Sequence, residues 1–381
     1  FYESEYAQYF QDAMFPDETL LSFKPDIVFI HTTNRNVTNW PEMTDTTEQI
    51  DEKLHTEINR FTAMWKSIAE KFHCPIIQNN FEMPLYRLLG SRDAWDIHGR
   101  TNFLTRLNEA FYAYARENES FYIHDLNFVS ADYGLKEWSN PLFWNMYKYA
   151  MCFEAIPSFA FSVSHIIKSI FGKNKKALAL DLDNTLWGGV VGDDGVDGIE
   201  IGQETGVSQS YYEFQTYVKQ LKSLGIVLTV CSKNDHENAI AGLNHPEGAL
   251  RPDDFVIIKA NWENKDRNIA ETAAELNILP DSIVFADDNP AEREIVRTQI
   301  KGAAVPDMDG VENYITTIDR SGFFEVTTFS EDDLKRNEMY KKNALRAAEM
   351  ASFGDYNDYL KSLEMHAVID DFIPVYLARI T

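Results

Sequence analysis

Two aspartates close a short apolar run in Lys176 to Gly189, KALALDLDNTLWGG, where Ala177 to Leu180 lead directly into Asp181 and Asp183. A continuous apolar run marks a strand covered on both faces, as in a parallel α/β sheet, and such sheets bind ligands outside their strand carboxyl ends. Two carboxylates so close raise each other's pKa unless a cation or hydrogen-bond donors offset the repulsion, so the pair asks for a metal ion. Mg²⁺ suits it, because Mg²⁺ takes oxygen ligands, keeps several waters and is commonly held by one or two carboxylates together with substrate phosphate. The alternative is a solvated loop whose aspartates cap the following turn.

Three more strand ends must position partners for that pair. Gly225 to Asn234, GIVLTVCSKN, is a second apolar strand delivering Ser232 and Lys233. Phe255 to Lys259 is a third, followed by Asn261-Trp262-Glu263-Asn264-Lys265 and a helix with Ile269, Ala273 and Leu276 on one face. Ser282 to Ala286 is a fourth, ending in Asp287-Asp288 before Asn289-Pro290, an N-cap and N1 pair. Singly, each has an ordinary reading: Ser232 as a helix cap, Lys265 as a solvated helix residue, Asp287-Asp288 as complements to a helix dipole.

In order along the chain, an acid pair, a hydroxyl, a lysine and a second acid pair resemble the four motifs of the haloacid dehalogenase (HAD) superfamily of phosphotransferases. Response-regulator receivers use similar parts but place their lysine last, whereas here Lys265 is third. The resemblance implies a Rossmannoid parallel sheet with Asp181 as nucleophile and Asp183 as general acid/base. It implies Ser232 and Lys265 as phosphate-binding groups, with Asn184 and Lys233 from the same motifs beside them. Asp181, Asp183, Asp287 and Asp288 are the implied metal ligands, Asp288 directly or through water and Asp287 in support. A carboxylate attacking phosphorus forms an aspartyl-phosphate, dividing one hard displacement into two easier ones. The acid/base then serves both halves, protonating the leaving oxygen and activating water, while cations and a hydroxyl stabilise the spreading equatorial charge.

A closer resemblance lies in Asp183-Asn184-Thr185-Leu186-Trp187-Gly188-Gly189, Cys231-Ser232-Lys233-Asn234, Asn261-Trp262-Glu263 and Asp287-Asp288-Asn289-Pro290-Ala291-Glu292-Arg293-Glu294. These are similar to the FkbH-like branch, HAD subfamily IIIC, over about 170 to 325. Members of that branch include proteins that move a glyceryl unit from a phosphorylated three-carbon donor to an acyl carrier protein. The implied substrate is therefore a phosphorylated small molecule or a carrier-tethered one, with an acyl carrier protein as a possible partner. Between the first two motifs, Gly188 to Ile201 reads as a glycine-rich hairpin with a turn at Asp194-Gly195. So small a flap suggests an open site able to admit a bulky substrate. Cys231 could carry an acyl unit as a thioester, although a cysteine inside an apolar strand is more often a core residue, and alternation turns it away from Ser232.

Two or three domains are expected in 381 residues. We place them at 1–172, at 173–328 (the phosphatase domain) and at 329–381, a helical linker opening an acetyltransferase-like domain. A net charge of −25 argues against nucleic acid and anionic membranes, and also weighs against an acidic carrier protein unless a local basic patch exists. Three widely spaced cysteines, Cys74, Cys152 and Cys231, suggest reduced thiols and a cytoplasmic setting. No segment approaches the ~18 consecutive apolar residues of a membrane span. The chain begins with Phe1 and stops at Thr381 in mid-pattern, so a fragment of a longer protein is expected.

The first 170 residues alternate strand and helix signals: strands at 26–31, 75–79 and 121–125, helices at 48–72 and around Phe103, Leu107 and Phe111, and a connecting helix at 156–171. This is a doubly wound α/β pattern. It resembles the SGNH-hydrolase or flavodoxin-like domain that precedes the phosphatase domain in FkbH-like proteins. No serine and histidine stand in esterase register, so a docking or substrate-positioning module is expected, with His31, Asn34 and Asn36 as possible remnants of a site. Trp138, Phe143, Trp144, Tyr147 and Tyr149 are expected at its junction with the phosphatase domain.

Overall fold

The computed structural model describes residues 1–352 and divides the chain into two units, Phe1–Gly172 and Lys173 onward. Both are α/β, each built on a parallel sheet.

In the second unit the strands β4 (Ala177–Leu180), β5 (Val227–Ser232), β6 (Ile257–Ala260) and β7 (Ile283–Ala286) lie in the order β6-β5-β4-β7. Every residue of β4, β5 and β7 is buried, as the unbroken apolar runs require. Alternation then sorts them between two layers. Leu178, Leu180, Leu228 and Val230 meet Phe214, Val218 and Leu221 of the helix Gly206–Ser223 on one face. Ala177, Ala179, Val227 and Cys231 meet Ile269 and Ala273 of the helix Lys265–Glu275 on the other. The chain winds outward from β4 through β5 to β6, then returns to β7 on the opposite side of β4. That reversal opens a crevice at the carboxyl end of β4, where Asp181 emerges.

The flap differs from the expected hairpin. Gly188 and Glu200 pair through hydrogen bonds of 3.0 and 2.8 Å, but the segment between them folds into a single helical turn, Val191–Asp194, and a 3₁₀ turn, Val196–Gly198. Asp194 accepts from the Val190 N–H at 2.8 Å, a local bond that competes with strand pairing. Gly195 then takes a positive φ of 70° to end the turn.

In the first unit β1 (Val28–Ile30), β2 (Ile76–Asn79) and β3 (Phe121–His124) are parallel in the order β1-β2-β3. Thr46 and Gln49 form a capping box that starts the helix Thr47–Phe72. It packs Phe61, Met64, Trp65 and Ile68 against Phe103, Leu107 and Phe111 of the helix Arg100–Glu117, with Trp65 and Phe111 edge to face at 4.7 Å. Phe159 of the helix Ile156–Ile170 meets Phe29, His31 and His124. Helices thus serve this sheet as in a doubly wound fold, yet among the described residues its strand order shows no reversal. Trp138 is buried with Leu126 and Met151, and Phe143, Tyr147, Tyr149 and Phe153 form a chain of ring contacts.

A helix spans Glu331–Ser352. Its apolar Leu334 and Met339 are exposed, and Asn337 is buried. The Asn337 amide donates to the carbonyls of Lys222 and Ile226 at 3.0 and 3.1 Å. The opening of the expected acetyltransferase-like domain, where Tyr359, Leu360, Leu363 and Met365 fall, lies outside the described residues. Among the described residues no helix is long and apolar enough to cross a membrane.

Candidate active site

Asp181 follows β4 and is buried; Asp287 and Asp288 follow the neighbouring β7, Asp287 fully buried. One carboxylate oxygen from each of the three lies within 4.8 Å of the others. Lys265, buried at the first position of its helix, places Nζ 2.5 Å from Asp287 Oδ2 and 3.1 Å from Asp181 Oδ1. The shorter contact is a hydrogen bond, whereas Asp181 Oδ1 is buried without one, so its attraction to the ammonium is ionic and that oxygen keeps lone pairs to offer. Burial alone would lower the lysine pKa; the charges of Asp181 and Asp287 overcome it and hold the ammonium above its ordinary range.

One ammonium among three carboxylates does not balance the charge. Asp287 is pushed up to about 6 by burial and by Asp181, against the pull of Lys265. Burial and Asp181 raise Asp288 likewise. Acids held upward in this way are short of positive charge, and an all-oxygen donor set of this size fits a hard divalent cation.

Asp183 is built differently. Its carboxylate stands outside that triangle: Oδ1 accepts from the Trp187 indole at 2.9 Å and the Val191 N–H at 3.1 Å, and Oδ2 from the Asn234 amide at 2.9 Å. Burial raises its pKa while the Val191 and Trp187 donors oppose the rise. The structure therefore does not gather the Asp183 side chain with the three expected metal ligands. It ties the group to the flap base, since Val191 opens the flap's helical turn.

The remaining expected residues fall into two kinds. Ser232 is buried at the end of β5, and its strand partner is Ala260 of β6, five residues before Lys265. Lys233 pairs with Glu292 of the fourth motif at 2.7 Å. Asn184 adopts a positive φ of 56°, which asparagine tolerates. Its side-chain oxygen takes the Gly189 N–H at 3.0 Å, and its carbonyl accepts from the hydroxyls of Tyr211 and Tyr314 at 3.3 and 3.1 Å. Asn184 thus shapes the loop after the aspartate pair.

The first unit matches the FkbH N-terminal domain family over residues 1–168. The solved N-terminal part of BF1531 from Bacteroides fragilis, described as containing a phosphatase domain and complexed with Mg, is similar over 86% of this chain and 86% of its own. The two share 32% sequence identity, with a TM-score of 0.79. The chain belongs to the FkbH-like family. No curated protein matches it.

Several residues of this FkbH-like site carried no role in the sequence reading. Arg293 is buried and donates to the carbonyls of Asp287 and Asp288 at 3.0 and 2.8 Å and to Asp309 at 2.9 Å, pinning the acidic loop from beneath. Thr185 Oγ1 takes the Asp288 N–H at 3.1 Å. Trp187 and Asn234 orient Asp183. All sit inside the quoted motifs, and an arginine four residues after the Asn289 N-cap was the available signal.

Cys231 is fully buried on the face opposite Ser232, and burial pushes its thiol far above the ordinary range. A thiol that is neither exposed nor ionised is a poor acyl carrier, so the core reading holds. In the first unit Asn34 donates to Glu82 at 3.0 Å, Asn36 completes a capping box with Thr33, and His31 contacts Asn79 at 3.2 Å. The structure does bring one serine and histidine together, with His124 Nε2 3.1 Å from Ser162 Oγ. Nothing supports that imidazole from behind: its Nδ1 is buried without a partner.

Proposed function

We propose that this protein is an Mg²⁺-dependent phosphomonoesterase of the HAD type, subfamily IIIC, acting through an aspartyl-phosphate on Asp181. The observation that carries the proposal is the convergence of Asp181, Asp287, Asp288 and Lys265 at the switch point of a parallel sheet, short of one cation. Its family membership and its likeness to a Mg-complexed phosphatase domain support the same reading.

Asp181, Asp287 and Asp288 would hold Mg²⁺, which when bound supplies the charge neutralisation and Lewis acidity that phosphoryl transfer demands. Asp181 attacks phosphorus as the leaving oxygen departs. Lys265, already an ammonium, stabilises the equatorial oxygens, and Ser232 offers a hydroxyl to the same group. Asp183 gives its proton to the leaving oxygen and later takes one from the water that cleaves the acyl-phosphate, Trp187 and Asn234 holding its orientation. The small flap is compatible with a phosphorylated small molecule or a carrier-tethered one, in a cytoplasmic setting. Glyceryl transfer to an acyl carrier protein is the alternative, and the buried Cys231 does not favour a covalent thioester in it.

Incubation with an aryl phosphate and Mg²⁺ tests the proposal. Turnover is expected from the wild type, lost on chelation and in Asp181→Asn. Equal turnover by Asp181→Asn, or none by the wild type, would reject it.

A further inference from the structure

Trp262 stands two residues past β6 and three before Lys265, and the residue is 71% exposed. Single exposed apolar side chains are ordinary on a protein surface. This one is held still. Its indole N–H donates to Asp235 Oδ1 at 2.9 Å, three residues beyond the end of β5. The loop beneath it is also fixed, because Asn261 and the buried Asn268 exchange amide hydrogen bonds of 3.3 and 2.9 Å. Asn261 Oδ1 accepts the Glu263 N–H at 3.0 Å as well, closing a tight turn around the tryptophan.

The indole therefore bridges the carboxyl ends of β5 and β6, on the same edge of the sheet as Ser232 and Lys265. A ring tethered this way has little rotational freedom left to lose when something stacks on it, so contact area converts to affinity efficiently. Its apolar area lies open to solvent on the same carboxyl edge of the sheet as the charged crevice, and a phosphate group alone has no use for it.

We propose that Trp262 is a specificity residue: a fixed platform for the leaving group, selecting phosphomonoesters in which phosphate is joined to a planar or apolar group. This rests on the phosphatase reading and adds the class of substrate to it. Asp235 is a positioning residue that acts through the indole.

Calorimetric titration of the Mg²⁺-loaded protein with phenylphosphonate and methylphosphonate tests it, because both present the same anion and only one presents a ring. The wild type is expected to prefer the phenyl compound roughly three- to tenfold, the scale of an aromatic pair. Trp262→Ala abolishes that preference, Trp262→Phe retains most of it, and Asp235→Ala loses part. A wild type without preference, or a Trp262→Ala variant that keeps it, overturns the platform while leaving aryl phosphate turnover intact. Parallel weakening of both ligands in Trp262→Ala marks a structural role and overturns it equally. A wild type that binds neither phosphonate and turns over no phosphomonoester refutes the underlying phosphatase reading.

Discussion

Both sheets end in a cluster of buried polar side chains at the same topological place, yet the two clusters are opposites. Past β1, β2 and β3, Thr32 and Asn79 share two hydrogen bonds, Asn80 joins Tyr112 to Asp125, and Asn34 donates to Glu82. Burial pushes Glu82 up to about 8, and lowers His31 and His124 to about 4, so near neutral pH this network carries no charge on those three groups. Past β4 and β7 the acids crowd one lysine and leave a buried carboxylate oxygen unbonded. The first cluster leaves only ring nitrogens unpaired, His31 Nε2 and His124 Nδ1, on imidazoles that burial keeps uncharged. A charged cluster that falls short waits for a ligand.

The most severe way to break the contrast is to remove the attacking group. Asp181→Asn is expected to lower kcat for an aryl phosphate by on the order of 10³ or more, while circular dichroism and thermal unfolding stay near wild type. An equal loss from a change in the other cluster, such as Ser162→Ala, would erase the distinction between the two sheets. Next comes Lys265→Met. It leaves Asp181 and Asp287 buried without their counter-charge, so activity falls by about 10²-fold or more and unfolding becomes easier by about 3–5 kcal/mol. Denaturant titration reads the second effect.

Mg²⁺ sharpens the contrast from the other side. At a hundredfold excess over Kd the ion should stabilise the phosphatase unit by about 2.7 kcal/mol, and Asp288→Asn should lose most of that gain. A thermal shift that survives in Asp288→Asn would place the ion elsewhere. The smallest expected effect belongs to the neutral cluster. Glu82 has its pKa raised from 4.5 to about 8, so the folded state keeps a proton the unfolded chain releases earlier. Stability tied to that proton is full below 4.5 and is lost as pH rises through 8. Glu82→Gln should therefore flatten the fall in Tm of the first unit between about pH 4.5 and about pH 8, with no change in phosphatase activity.

Much of this contrast could be read in the sequence for the second sheet and little for the first. Apolar runs with acids or a lysine directly after them locate Asp181, Lys265 and Asp287-Asp288 because both the strand signal and the chemistry are local. Lys233 illustrates where local signals stop, since its partner Glu292 is 59 residues away and no spacing rule links them. Asn184 was singled out by its motif, but its left-handed backbone and the bond from the Gly189 N–H to its side-chain oxygen could not be read from it. The helical turn in the flap was hidden for a related reason: Asp194-Gly195 supports both a hairpin turn and a helix end, and the Asp194 to Val190 bond decides between them. In the first unit Asn34 and His31 were singled out by position, but only tertiary packing shows that Glu82 and Asn79 occupy them. Asn337, a polar residue on a helix with exposed leucine and methionine, shows that docking can run through backbone carbonyls that no hydrophobic periodicity reports.

Mass spectrometry of the intact protein, acid-quenched during turnover of an aryl phosphate with Mg²⁺, bears most directly on the charged cluster. One added phosphoryl group that maps to Asp181 and is absent from Asp181→Asn is the predicted result. Continued hydrolysis with no adduct on Asp181, or an adduct on another residue, would contradict the account.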